Sequence, residues 1–150
     1  MTMIVVDWGT TRFRAFLVED GAVLDKTAAD EGVSGLAAGS HAGIFRSHCG
    51  AWLDAHPEAP VLLVGLGGSR EGWVEAPYAA CPAGPEDIVR AMIPVDLGAG
   101  RTGHIVPGLV QDDPALGMDV MRGEETQALG SGVPRWLLPV GEWGPAGARR

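Results

Sequence analysis

The chain has 150 residues, 46% hydrophobic and 20% charged, a composition that suits one soluble folded domain and excludes long disorder. Eleven basic residues against 19 acidic ones leave a net charge of -8, which excludes broad electrostatic binding of nucleic acid but not a small anion gripped by a few placed arginines. No apolar run reaches the ~20 residues that span a bilayer, and the first residues show no basic leader, so a cytoplasmic protein without a membrane partner is the expectation.

Met3 to Val6 predicts a first strand. Trp8-Gly9-Thr10-Thr11 breaks it, and Arg12 to Val18 resumes an extended pattern in which Phe13, Ala15 and Leu17 alternate with their neighbours. Glu19-Asp20-Gly21 turns the chain again, an Asp-Gly pair between such runs being a strong hairpin signal. Ala22 to Ala28 then reads as a third strand, so the chain opens with a three-stranded antiparallel meander. Gly32 to Ser40 is Gly-rich and reads as a loop. His41 to His56 has helical spacing, with Ile44, Cys49, Trp52 and Leu53 on one face, and Pro57 and Pro60 end it.

Val61 to Leu66 is a continuous apolar run, as in a strand covered on both faces. Gly67-Gly68-Ser69-Arg70 leaves it in a tight loop. Ala76 to Pro85 reads as extended or irregular, because Pro77, Pro82 and Pro85 punctuate it. Glu86 to Met92 predicts a short helix, His104 to Val106 a strand and Asp112 to Asp119 a loop. Met121 to Leu129 predicts a helix with Glu124 and Glu125 near its start, where the helix dipole favours carboxylates. The order is that of a layered α/β domain with a mixed sheet and helices packed on it.

Three segments carry the chemistry. In Asp7 to Arg12, a Gly-Thr-Thr turn between strands offers backbone N–H groups and two hydroxyls to an anion. Gly9 lets the backbone approach a phosphate, and Asp7 at the strand end can hold Mg²⁺ through water. An ordinary polar hairpin turn fits the same spacing. In Gly67 to Trp73, the loop follows a buried strand, where ligands of α/β sheets bind. Arg70 can grip a carboxylate, Ser69 can donate a hydrogen bond and Trp73 can wall a sugar ring. The competing reading makes Trp73 an anchor for a surface loop. In Asp119 to Gln127, Glu124 or Glu125 can take a proton from an attacking hydroxyl, although a solvated first helical turn has the same composition. Cys49, Cys81 and the four histidines show no metal-ligand spacing. Neither G-x-G-x-x-G nor a Walker P-loop is present.

These segments resemble the 2-dehydro-3-deoxygalactonokinases. The resemblance rests on Val5-Val6-Asp7-Trp8-Gly9-Thr10-Thr11, on Gly68-Ser69-Arg70-Glu71-Gly72-Trp73-Val74-Glu75-Ala76-Pro77-Tyr78 with Cys81-Pro82-Ala83-Gly84, on His104-Ile105-Val106-Pro107-Gly108-Leu109, and on Asp119 to Gln127. It implies a ribonuclease-H-like domain of the actin-like ATPase superfamily over residues 1–138. It also implies ATP-dependent phosphorylation of the 6-hydroxyl of 2-dehydro-3-deoxy-D-galactonate in galactonate catabolism. ATP and Mg²⁺ are the implied cofactors, with Asp7 at the metal and Asp7, Gly9, Thr10, Thr11 and Arg12 at the phosphates. Ser69, Arg70, Trp73 and Arg122 are the substrate candidates, and Asp7, Glu124 and Glu125 the catalytic ones. The family's second kinase domain has no counterpart here, so reduced or absent activity and self-association through the face it covers are expected. Residues 139–150 depart from the family pattern and read as a disordered or aberrant tail, such as translation past a frameshift leaves.

Overall fold

The computed structural model describes residues 1–115 and 117–130. The predicted meander forms: β1 (Thr2–Trp8) pairs antiparallel with β2 (Phe13–Glu19), and β2 with β3 (Ala22–Ala29). Period-two patterning decides which face is inward, and Phe13, Ala15 and Leu17 are buried. After a loop, α1 (His41–Ala55) buries His41, Phe45, Cys49 and Leu53, a stripe at helical spacing, while Ile44 and Trp52 pack at its margin.

The chain then enters β4 (Val61–Gly65), which lies parallel to β1. Val61 and Leu63 belong to the core beneath α1 and Val64 to a second, smaller core, so the apolar run is covered on both faces as predicted. A 3-10 turn, Leu66–Gly68, follows directly. β6 (Ile93–Gly98) and β7 (Arg101–Ile105) complete the main sheet, whose order is β3-β2-β1-β4-β7-β6. The sheet is mixed, since β4 is parallel to β1 and β7 while β6 runs antiparallel to β7. A second sheet has the order β5-β8-β9, from β5 (Tyr78–Ala80), β8 (Gly108–Asp113) and β9 (Gly117–Met121). Two short helices, α2 (Pro85–Ala91) and α3 (Glu124–Gly130), accompany it.

Two readings of the sequence change, and two segments gain strands. Asp112 to Asp119 is the end of one hairpin rather than a loop, with Asp112 opposite Met118 and Asp113 opposite Gly117. Its side chains are largely exposed, so main-chain pairing rather than an apolar pattern holds it. Ala76 to Pro85 contains β5, which pairs with β8. β6 carries Pro94 yet lies at the edge of the sheet, where a missing N–H is tolerated. The last helix starts at Glu124, not Met121, because Met121 still belongs to β9 and Gly123 adopts φ 106°. The expected tail of residues 139–150, and the domain boundary at 138, lie outside the described residues.

Candidate active site

The carboxyl ends of β1 and β4 lie side by side, since the two strands pair in parallel up to Trp8 and Gly65. Ligands of α/β sheets gather at such ends. Beyond Trp8 the hairpin closes through Gly9 N–H donating to Arg12 C=O at 2.8 Å. The exposed residues Thr10, Thr11 and Arg12 form its tip.

The turn is held from behind by the loop between β3 and α1. Val33 N–H donates to Gly9 C=O and Ser34 N–H to Thr10 C=O, both at 3.0 Å. The buried Trp8 indole N–H donates to Glu31 C=O at 2.8 Å. Gly32 lies so close that a Cβ there would sit 2.2 Å from Thr10 O and 2.3 Å from Thr11 N. Arg12 pairs with Asp30 at 3.1 Å, and Glu31 with His48 at 2.5 Å. Thr10, Thr11, Asp30, Glu31, Gly32, Ser34 and Leu36 line an open depression of about 450 Å³.

Asp7 sits beside this turn, one quarter exposed, and its Oδ2 accepts from Arg14 Nη2 at 2.6 Å. Arg14 is directly opposite Asp7 in the β1–β2 register. The sequence reading missed Arg14. The signal was present, because counting outward from the four-residue tip pairs position 8 with 13 and 7 with 14.

Gly65 connects this cluster to the third segment. A Cβ on Gly65 would meet Trp8 O at 2.9 Å and Asp7 Oδ1 at 3.1 Å, and one on Gly123 would meet Gly65 Cα at 3.2 Å. Asp7, Gly65 and the start of α3 are therefore packed in succession. Here the two candidate glutamates separate. Glu124 is exposed, whereas Glu125 is 1% exposed and its Oε2 accepts from Gly123 N–H at 2.5 Å. Burial pushes the Glu125 carboxyl up to about 7, against the lowering effect of backbone N–H donors and of Arg122.

The substrate candidates are less uniform. Ser69 donates its hydroxyl to Leu66 C=O at 2.7 Å, closing the loop after β4. Arg70 is exposed on that loop and makes no hydrogen bond or ion pair among the described residues. Trp73 turns inward, its ring packed on Trp8, Phe45 and His41, so it anchors the loop to the core. Arg122 lies over the Tyr78 ring at 4.3 Å and donates from Nη2 to Ala76 C=O at 2.8 Å. Its Nε and Nη1 are buried and unmet among the described residues. Those residues hold no group of three or more His, Cys, Asp or Glu side chains that could cage a metal. No described helix is long and apolar enough to cross a membrane.

A profile of 2-keto-3-deoxy-galactonokinases matches residues 7–137, which takes in the turn, the loop after β4 and the start of α3. The chain belongs to that family. The matched span takes in the residues that meet at the ends of β1 and β4. Among curated relatives, "Probable 2-dehydro-3-deoxygalactonokinase DgoK1" of Rhizobium meliloti (strain 1021) is 41% identical over 128 residues, 84% of this chain and 40% of that protein. The 2-dehydro-3-deoxygalactonokinase of Escherichia coli (strain K12) is 35% identical over 130 residues, 85% of this chain and 41% of that protein. A crystal structure of a Sinorhizobium meliloti protein assigned as a 2-dehydro-3-deoxygalactonokinase superposes with a TM-score of 0.66 at 36% identity, covering 87% of this chain and 42% of that one. The chain spans about two-fifths of the length of the curated relatives it matches.

Proposed function

We propose that this chain is the phosphate- and substrate-binding lobe of an ATP-dependent kinase that phosphorylates 2-dehydro-3-deoxy-D-galactonate at its 6-hydroxyl. The proposal includes an actin-like ATPase arrangement of the main sheet, which the strand order β3-β2-β1-β4-β7 supports. One observation carries the reading. Asp7 and the start of α3 converge on Gly65, beside the Gly9–Arg12 turn and at the carboxyl ends of two parallel strands.

The donor set fits ATP and Mg²⁺. Mg²⁺ keeps several waters and takes one or two carboxylates plus phosphate oxygens, so a single Asp7 is enough on the protein side. The glycine cradle supports the fit, since a side chain at Gly65 would fill the space beside the Asp7 carboxylate. When bound, ATP supplies the phosphoryl group and Mg²⁺ neutralises its charge. Asp7 holds the hydrated cation, with Arg14 fixing the carboxylate's orientation. The N–H groups and hydroxyls of Thr10 and Thr11, with Gly9 letting the backbone come close and Arg12 at the edge, hold phosphate oxygens. Arg70, exposed on its loop, holds the substrate carboxylate, and Arg122, whose unmet Nε and Nη1 are buried, lends its charge from beneath. Glu124, the exposed carboxylate at the start of α3, accepts the proton of the attacking hydroxyl. Ser69 and Trp73 shape the loop that presents Arg70. In this reading the face bearing exposed Met118 and Val120 is a contact surface, available for self-association.

The test is a coupled ADP-release assay of the 150-residue chain with Mg-ATP and the ketodeoxy acid, run beside Asp7→Asn and Glu124→Gln. Turnover abolished in both variants is the expected result. Turnover that survives Asp7→Asn unchanged overturns the site. Calorimetric binding of the acid with no turnover assigns the chain a binding role, and a panel of other sugar acids tests the substrate.

A further inference from the structure

Glu125 is the most deeply buried acidic side chain among the described residues, and proton transfer alone gives it no task. Its depth removes it from direct chemistry. A base must touch the attacking hydroxyl, and Glu125 is 1% exposed with one oxygen already committed to Gly123 N–H at 2.5 Å. Its second oxygen has Thr126 Oγ1 at 3.5 Å, a weak partner. What this carboxylate does touch is the turn that leads into α3. The bond folds the side chain back over two residues and holds Gly123 at φ 106°, a conformation that L side chains rarely adopt. In that conformation Gly123 packs onto Gly65, which packs onto Asp7. On either side of Gly123 stand the two groups that need a fixed direction. Arg122 lies over the Tyr78 ring and donates to Ala76 C=O, and Glu124 is exposed.

We propose that Glu125 is a positioning residue: by accepting from Gly123 N–H, its buried carboxylate clamps the Arg122–Glu124 turn onto Gly65 and so sets the direction of both Arg122 and Glu124. The catalytic consequence rests on the kinase reading given above. The clamp itself does not, and the two can be tested separately. Arg122 and Glu124 are the charged groups that act on Glu125, one favouring its ionised form and the other opposing it. The clamp needs only an acceptor oxygen facing Gly123 N–H, which separates it from a role as proton acceptor. A glutamine keeps that oxygen and the side-chain volume, whereas an alanine removes both.

The experiment compares Glu125→Gln, Glu125→Ala and Glu124→Gln in the full chain by nitrogen-15 NMR and by the coupled assay. In Glu125→Gln the Gly123 amide stays protected and the Arg122 Nε–H resonance stays in place. In Glu125→Ala the Gly123 amide exchanges at least tenfold faster and the Arg122 resonance moves. For turnover, Glu125→Gln stays within tenfold of the parent. Glu124→Gln and Glu125→Ala each lose a hundredfold or more in kcat with KM for both substrates within about threefold. Unchanged Gly123 and Arg122 signals in Glu125→Ala overturn the clamp. A Glu125→Gln loss equal to that of Glu124→Gln also overturns it, because Glu125 is then handling the proton. If Glu125→Ala does not fold, the Glu125→Gln comparison still decides between the two roles. If the parent chain shows no turnover, the kinase reading of this chain fails while the NMR comparison still decides the clamp.

Discussion

Glu125→Gln should stabilise the protein at alkaline pH and leave it unchanged in acid. The buried carboxyl has its pKa raised from an ordinary 4.5 to about 7, chiefly because burial penalises its charged form. Between those two values the folded chain holds a proton that the unfolded chain has released. Stability from this group is therefore fully present below pH 4.5 and falls as pH rises toward 7. Each pH unit in that window costs 1.36 kcal/mol, so at pH 8 ionised Glu125 destabilises the fold by about 3 kcal/mol. A neutral glutamine avoids that cost and keeps an oxygen for Gly123 N–H. Urea unfolding at pH 4.5, 6 and 8 measures the difference directly. The expected gain of the variant is near zero at pH 4.5, about 2 kcal/mol at pH 6 and about 3 kcal/mol at pH 8. A gain independent of pH, or one that shrinks as pH rises, would refute the reasoning.

Four further outcomes are expected. Gly32→Ala places a methyl 2.2 Å from Thr10 O, so the turn must move; a loss of about 1–3 kcal/mol in urea unfolding should accompany amide shifts at Thr10 and Thr11. Gly50→Ala is its control, since nothing lies within 4 Å of a Cβ there, and in this helix interior it should gain about 0.5–1 kcal/mol. Arg14→Ala removes an ion pair whose side chains are 52% and 25% exposed, so the stability loss should stay under about 1 kcal/mol and shrink further in 0.5 M salt. His41 is buried against Trp8 and Trp73, and desolvation lowers its pKa. Its unfolded form binds the proton first as pH falls below 6.5, so acid erodes stability there; His41→Phe keeps the stack and should flatten the pH 5–7 portion of the thermal midpoint curve.

Local patterning made the first half of the fold legible. Alternation in Phe13, Ala15 and Leu17, the Asp20-Gly21 turn and the apolar run at Val61 each depend on neighbours close in sequence, and those elements formed as read. β6 and β9 were not legible for the opposite reason. β6 tolerates Pro94 only because it lies at the sheet edge, and β9 exposes most of its side chains, so both are defined by the strand they pair with. The same division runs through the site. Asp7 and the Gly9–Arg12 turn follow from a hairpin, and Arg14 follows from its register. Gly32 does not, because its importance is a contact across more than twenty residues with the Thr10–Thr11 peptide.

The two adjacent glutamates show why residue type alone could not assign roles. Neighbours on a helix point about 100° apart, so one of Glu124 and Glu125 faces the sheet when the other faces the solvent. Which one does so depends on the phase of α3, and that phase is set where β9 ends at Met121 and the chain turns at Gly123. An extra residue in the turn would carry Glu124 into the buried position and Glu125 into that of Thr126 without changing the motif. The same geometry places the burden of precision on backbone contacts. Asp7, Gly65 and Gly123 meet at distances that leave no room for a methyl, and the Thr10–Thr11 peptide meets Gly32 more closely still. Groups packed this way have little room to shift, which is the condition under which the proposed phosphate site would act at low reorganisation cost. Of the groups proposed to meet a substrate, Arg70 and Glu124 are exposed, Arg70 on the loop after β4 and Glu124 in the direction that the proposed Glu125 clamp would set.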